Sequence, residues 1–540
     1  MRILPKLNPE NEWFWTSGAD GVLRIQGCAD CATLVHPPAP ICPACHSSHW
    51  QPTEVCGRAT VAGYTVNSHS WTPTSDPPYV IAVVALEEST DVRLTTNIVG
   101  CDPDDVHIGQ EVEVCFEEQD GIHLPLFSPT GATRENPVPE PQLAAPRAAP
   151  SSDRFEHKVV LSGIGRSEIG RRLMRDPLSL ATDACLAAIA DAGLNPDDID
   201  GLSTYPGPAG MGFSEGGVAA VEEALRLRPT WINGGGDIPG PGGALITAML
   251  AVSSGLCRHV LCFRTVWETT FAARGGLGAT SGASGSDWMQ WRLPFGAMSA
   301  ANWIAMNANQ YLHRYGATRD LFARIAINAR RNAGRNPLAI YREPMTLDDY
   351  YAARPITSPF GLYDCDVPCD ASIAVVVSAA DTAEDLPNPP VRVEAVGTQI
   401  LERVSWDQDT LTHEPQVLGQ SAHLWTRTDL RPEDVDVALL YDGFTFNCVS
   451  WLEGLGFCGF GEATDFVGDG SRIALDGELP LNPHGGQLSE GRTHGFGFIH
   501  EAVLQLRRQA GERQVNGART AVVATGGGTP SGVMLLRGDG

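Results

Sequence analysis

Four short β-rich runs near the start of the chain, Thr60–Val66, Tyr79–Leu86, Arg93–Val99 and Glu111–Phe116, place apolar side chains at strand spacing with turn residues between them. Successive side chains of a strand point to opposite faces, so runs of this length predict a small Greek-key barrel. Prolines at 137, 139, 141, 146 and 150 then break both helix and sheet pairing and predict an extended tether. Beyond it the period changes. Val159–Gly165 and Val260–Phe263 are continuous apolar runs that read as buried strands, and Ser179–Ala192 reads as a helix ended by Gly193. The pattern returns in Val437–Tyr441, in a helix through Leu504 and in Thr520–Thr525 ahead of a glycine triplet. Strands alternating with helices in two similar halves predict an α/β layered fold.

Three units follow from this: residues 1–128, a linker at 129–154, and 155–540. A chain of 540 residues exceeds what one core supports. A formal net charge of -26 excludes nucleic acid as the main partner, because an acidic surface repels phosphate backbones. It also implies that any nucleotide-bearing ligand meets a local Arg or Lys cluster. No apolar stretch approaches the ~20 residues of a membrane span, and the N-terminus lacks a signal-peptide pattern, so a cytoplasmic protein without a membrane partner is expected. Of 14 cysteines, Cys28 and Cys31 form one Cys-x-x-Cys knuckle, and Cys42 and Cys45 a second. Two knuckles offer four thiolates in a tetrahedron, which is what a structural Zn2+ requires; the alternative is four unrelated thiols or a redox pair. Four thiolates close the coordination shell, so this metal folds the ribbon and does not catalyse.

The ribbon followed by the barrel resembles the acyl-CoA-associated zinc-ribbon and OB-fold family called DUF35. The barrel strands carry neither a basic surface nor exposed aromatics for base stacking, against oligonucleotide binding. From residue 155 onward the chain resembles the sterol-carrier branch of the thiolase superfamily, and within it the side-chain-cleaving aldolases of steroid degradation. The resemblance implies an αβαβα layered fold, a homodimer and an acyl-CoA substrate whose coenzyme A is part of that substrate; a hydratase is a separate candidate partner. The catalytic residues of thiolases are missing. Asn233–Ala244, which matches the nucleophile elbow, contains no cysteine, and Ala524–Thr525 replace the second cysteine before the glycine triplet. Tyr441-Asp-Gly-Phe444 stands where the branch has His-Asp-Cys-Phe, and in the loop Asn482–Gly497 Arg492 takes the position of a catalytic histidine.

Acyl-enzyme formation is therefore closed, whereas retro-aldol cleavage of a β-hydroxyacyl-CoA needs no nucleophile. The reading that follows makes Tyr441 the base for the substrate hydroxyl. Arg492 stabilises phenolate or enolate charge, and His494 or an ordered water returns the proton. Ionising an ordinary tyrosine at pH 7 costs about 4 kcal/mol, so a nearby cation is expected. Asp442, His484, Gly485, Gly486 and Gly527 are the expected substrate-binding residues. Simpler roles compete: Tyr441 as a core tyrosine, Arg492 paired with Glu490 or Asp442, and the histidines as ordinary loop residues. Cys365 and Cys369 read as buried thiols, and Gly234–Gly243 as a segment allowing close backbone approach. The products would be a ketone or aldehyde and a shorter acyl-CoA. The competing functions are a non-catalytic acyl-CoA or lipid carrier serving as scaffold for a hydratase, and an atypical thiolase or acyltransferase.

Overall fold

A computed structural model describes residues 2–71, 76–143, 145–147, 153–205, 214–234, 240–275, 287–401, 403, 408–526 and 532–539. The ribbon is a three-stranded antiparallel sheet of β1 (Arg24–Cys28), β2 (Leu34–Val35) and β3 (Trp50–Glu54), in the order β2-β1-β3. The barrel strands are β4 (Arg58–Asn67), β5 (Tyr79–Leu86), β6 (Ser89–Thr96), β7 (Gln110–Gln119) and β8 (Ile122–Thr133). β4 pairs with both β5 and β7, β7 with β8, and a bridge from Ile98 to Phe127 closes the circle. This is the five-stranded OB arrangement. A bulge between Val61 and Gly63 shifts the β4 register, and Gly63 lets Leu411 and Met306 pack against the bare backbone.

The remaining strands are β9 (Val159–Arg166), β10 (Gly201–Thr204), β11 (Trp231–Asn233), β12 (His259–Trp267), β13 (Pro355–Thr357), β14 (Phe360–Gly361), β15 (Asp370–Ala379), β16 (Val391–Gly397), β17 (Val437–Leu439), β18 (Thr520–Ala524) and β19 (Val533–Gly538). Nine of them pair in the order β11-β10-β12-β15-β9-β16-β19-β18-β17. The sequence of strands outward from the β9–β16 junction repeats in both halves: first strand, last strand, fourth, second. In the second half the place of β11 is held by a single parallel bridge between Ala438 and Leu481. The two similar halves read from the hydrophobic pattern are thus present as paired strand topologies.

Burial explains the layering. Helices Gly240–Ser253 and Phe496–Leu506 are apolar on most sides, and their Leu245, Met249, Phe498 and Val503 pack with strand residues of both halves in one shared core. Helix Pro177–Asp191 covers the outer face of the first half, and helices Ala300–Tyr315, Arg319–Ala333 and Thr445–Gly454 cover that of the second. The result is the thiolase-like αβαβα stack. Among the described residues no helix is long and apolar enough to cross a membrane.

The barrel is joined to this stack by main chain as well as side chain. β13 adds to β4 through Thr357 opposite Asn67, extending the barrel sheet to seven strands. Asn309 and Gln310 of helix Ala300–Tyr315 donate to the carbonyls of Tyr64 and Ala62, satisfying β4 groups that would otherwise be buried unpaired. Asn302, fully buried, donates to Asn67 Oδ1 at 3.0 Å and Thr357 Oγ1 at 3.1 Å. Part of the Pro-rich segment is packed as well: Val138 is buried, its carbonyl accepts from Arg314, and Asn136 bonds Gln310. Asn302→Leu removes two buried donors while keeping apolar volume. It is expected to lower unfolding free energy by about 1–3 kcal/mol, measured by urea denaturation.

Candidate active site

The site lies where the carboxyl end of β12 meets the segments that follow β17 and the Leu481 bridge. β12 ends at Trp267, opposite Asp370 at the start of antiparallel β15, so Glu268 and the segment Cys365–Asp370 meet there. Tyr441 follows β17 by two residues, and the loop 482–495 follows the Leu481 bridge. Backbone bonds stitch these stretches together: Asp366 N to Gly443 O at 3.0 Å, Val367 N to Gln487 O at 2.9 Å, and Arg492 N to Val367 O at 2.8 Å.

Asp442 sets the shape of the loop. Its carboxylate is fully buried and accepts from Gln487 N at 2.7 Å and Asn482 Nδ2 at 3.1 Å. Burial pushes it up to about 8 against these donors. At Gly486 a Cβ would fall 1.8 Å from Asp442 Oδ2, so the carboxylate needs the missing side chain. Asp442 and Gly486, expected to bind substrate, instead hold the loop. The same correction applies to Gly485, which packs on Ala333, and to His484. His484 is 2 % exposed, stacks edge-on against Phe498 and lies 3.8 Å from Glu490. Gly527 lies outside the described residues, as do 235–239 of the former elbow. Where that elbow resumes, Gly242 N donates to Thr525 Oγ1 at 3.1 Å, so the threonine in place of the second cysteine closes against the helix that follows.

Arg492 lies between two acids, neither of which is Glu490 or Asp442. Its Nε and Nη2 donate to Glu268 Oε2 at 3.0 and 2.5 Å, and Nη1 to Asp366 Oδ1 at 3.1 Å. Glu490 is engaged by Arg166 at 3.0 Å. Arg492 favours the Tyr441 phenolate, as expected, but its charge is shared with two carboxylates and burial outweighs it. Burial raises the Tyr441 phenol well above its ordinary value and Asp366 adds to this, while Gln487 and Arg492 oppose. The protonated phenol is its resting form. Asp366 is itself pushed up to about 7 by burial, partly offset by Arg492.

His494 has a left-handed backbone (φ 51°), its N–H bonded to Gln487 Oε1 at 2.8 Å. Arg264 Nη2 lies 2.8 Å from its Nδ1. Burial, Arg264 and Arg492 together keep the ring neutral. A neutral imidazole offers a hydrogen bond from its ring N–H in place of the charge of an imidazolium. A cavity of about 670 Å³ opens beside Arg492, lined also by Glu268, Thr269, Pro368, Arg171 and Arg172. The two neighbouring arginines form a local basic feature on an acidic protein.

Glu268, Asp366, Arg264 and Gln487 were missed in the sequence. Arg264 did carry a signal, a charge inside the wholly buried strand β12. Asp366 lies in a segment read only for Cys365 and Cys369. Burial raises both thiols, and Cys369 donates to Arg492 O at 3.4 Å.

In the ribbon, Ala32 N returns to Cys28 O and His46 N to Cys42 O, both at 2.9 Å, giving two knuckles of the same form. Cys28–Cys45 and Cys31–Cys42 sulfurs are 3.6 Å apart, and all four lie within 4.8 Å of one another. Four thiolates about 2.3 Å from a central ion would be spaced about 3.8 Å apart, so the cluster fits a structural metal.

Residues 15–51 match the rubredoxin-like zinc ribbon domain of ChsH2, 52–117 the C-terminal OB-fold domain of ChsH2, and 402–536 the thiolase C-terminal domain-like family. The chain is 36 % identical over 391 residues to a steroid side-chain-cleaving aldolase of Thermomonospora curvata, spanning 71 % of this chain and 98 % of that one. It is 34 % identical over 388 residues to the 17-hydroxy-3-oxo-4-pregnene-20-carboxyl-CoA lyase of Mycobacterium tuberculosis, spanning 70 % and 99 %. The solved Ltp2-ChsH2(DUF35) aldolase is similar with a TM-score of 0.63 and 34 % identity, over 71 % of this chain and 98 % of that chain. A stretch of 137 residues, 25 % of this chain, is 39 % identical to 42 % of a probable enoyl-CoA hydratase alpha subunit of T. curvata.

Arg492→Leu leaves Glu268 and Asp366 facing each other without a cation. It is expected to cost about 3–5 kcal/mol of stability at pH 8, less at pH 6 where Asp366 takes up a proton, as measured by urea unfolding at both values. Cys28→Ser is expected to abolish stoichiometric metal, measured by mass spectrometry of the bound element, and to open the ribbon to proteolysis.

Proposed function

We propose, for a chain that belongs to the steroid side-chain-cleaving aldolase branch of the thiolase superfamily with a ChsH2-type zinc ribbon and OB-fold fused to it, a carbon–carbon lyase acting on a β-hydroxyacyl-CoA. The observation that carries this reading is the Tyr441, Asp366 and Arg492 group, set at the strand ends of a thiolase-like fold without a cysteine nucleophile in the elbow sequence. The activities of the relatives suggest the substrate class, a steroid side-chain thioester.

Tyr441 Oη takes the hydroxyl proton of the substrate as its own proton passes through one water to the Asp366 carboxylate, whose charge acts on the phenol without a direct hydrogen bond. The carbon–carbon bond then breaks, its electrons entering the thioester as an enolate while the hydroxyl-bearing carbon becomes a carbonyl. The proton held by Asp366 returns through Tyr441 to the α-carbon. No proton is gained or lost overall, and no free phenolate forms, which suits a phenol whose ionisation burial disfavours. Arg492 keeps Asp366 ionisable and orients it.

The metal in the Cys28, Cys31, Cys42 and Cys45 shell is read as Zn2+, which supplies folding and no chemistry. A homodimer is supported by β11, whose outer edge has no partner among the described residues and whose Ile232 is 56 % exposed. The ribbon and barrel match domains of ChsH2, so we read that side as the face where a hydratase docks.

With a steroid side-chain β-hydroxyacyl-CoA, mass spectrometry is expected to detect a ketone and a shortened acyl-CoA. Tyr441→Phe should lose turnover while retaining thioester binding; binding without turnover in wild type would favour a carrier. Because Asp366 must be ionised, kcat/KM is expected to rise with pH through about 7. Asp366→Asn should remove that limb along with most activity. Ile232→Lys is expected to shift the dimer to monomer in light scattering.

A further inference from the structure

Arg264 stands in the middle of β12, 8 % exposed, with every neighbour on its strand buried. Burying a guanidinium is costly unless its donors are used. Nη1 donates to Thr265 O at 2.9 Å and Nη2 reaches His494 Nδ1 at 2.8 Å, while Nε has no hydrogen-bond partner. Among the described residues no carboxylate lies within ion-pair distance of it. This differs from Arg492, whose charge is consumed by Glu268 and Asp366.

A guanidinium can only donate, so Nδ1 of His494 must accept, and the ring proton must sit on Nε2. The groups around the ring are Arg264 from β12, Arg492 and Gln487 from its own loop, and Glu268, whose Oε1 is 3.8 Å from Nε2, beyond hydrogen-bond distance. The imidazole is 27 % exposed, so Nε2–H remains available to a ligand. We propose that Arg264 is a positioning residue that fixes His494 as the neutral Nε2–H tautomer, making His494 a permanent hydrogen-bond donor to the thioester oxygen on which enolate charge develops. The reaction it serves rests on the lyase reading above; the tautomer does not. The division of labour is then definite: Tyr441 and Asp366 move the proton, and the His494 N–H stabilises the oxyanion without changing charge during the cycle.

The test is histidine-selective 15N NMR of the full-length chain, with His494 assigned by difference from His494→Gln. Wild type is expected to show His494 as the Nε2–H tautomer throughout pH 5.5–8. In Arg264→Met the ring should mix Nδ1–H and Nε2–H tautomers while burial and Arg492 keep it largely neutral. Arg264→Lys, which keeps a cationic donor, should restore the single Nε2–H tautomer, and it serves as the test if the methionine variant fails to fold. In turnover, Arg264→Met and His494→Ala should each lower kcat by roughly a hundredfold with KM little changed, and the double variant should lose no more than either alone. A proton on Nδ1 in wild type, or an unchanged tautomer in Arg264→Met, overturns the inference. Absence of cleavage in wild type with the tautomer as described would overturn the lyase reading alone.

Discussion

Arg492 bonded to both Glu268 and Asp366 joins segments 224 and 126 residues apart in sequence, and the site exists because these three charges meet. Each group is largely withdrawn from water, where an isolated charge is expensive and a compensated one is tolerated. Burial is the larger influence and these charges adjust it: the Asp366 charge adds to the rise of the Tyr441 phenol, Glu268 adds to the rise of Asp366 to about 7, and Arg492 opposes both. A single additional charge at Arg492 would alter all of them together.

The thiolase-like framework keeps its positions while exchanging the groups that occupy them. Residues just beyond strand ends converge because the loop that follows the Leu481 bridge carries Arg492 of the second half to Glu268 and Asp366 of the first. Tyr441 after β17, Glu268 after β12 and Thr525 after β18 each occupy such a position. Thr525 bonded to Gly242 N shows how a former reactive position becomes packing. The buried contact of Asp442 with Gly486 shows the same for the glycine loop, whose residues serve the carboxylate that shapes it.

The OB barrel shares a sheet with the αβαβα stack through β13, and amide side chains of helix Ala300–Tyr315 satisfy the backbone of β4. A barrel attached only by a proline-rich tether would be free to move. Here buried hydrogen bonds fix its orientation, since separating the two would expose donors and acceptors on both sides without new partners.

Local rules made the zinc knuckles, the barrel strands, the repeated α/β pattern and the absent elbow cysteine legible, because each depends on spacing within a few residues. Tyr441 was found for the same reason, at the end of an apolar strand in a recognisable tetrapeptide. The loop residues Asp442, His484, Gly485 and Gly486 were equally visible, yet their direction was not: whether a polar side chain faces a cavity or the interior depends on what packs over it. Arg264 stood out as a charge in a buried strand, but its pairing with His494, like that of the acids with Arg492, was out of reach of sequence. Electrostatic pairing falls off with distance in space, and spatial distance between residues hundreds of positions apart is decided only when the sheet is assembled. Sequence determined which chemistry was lost and which groups remained; tertiary structure alone determined which charges those groups share.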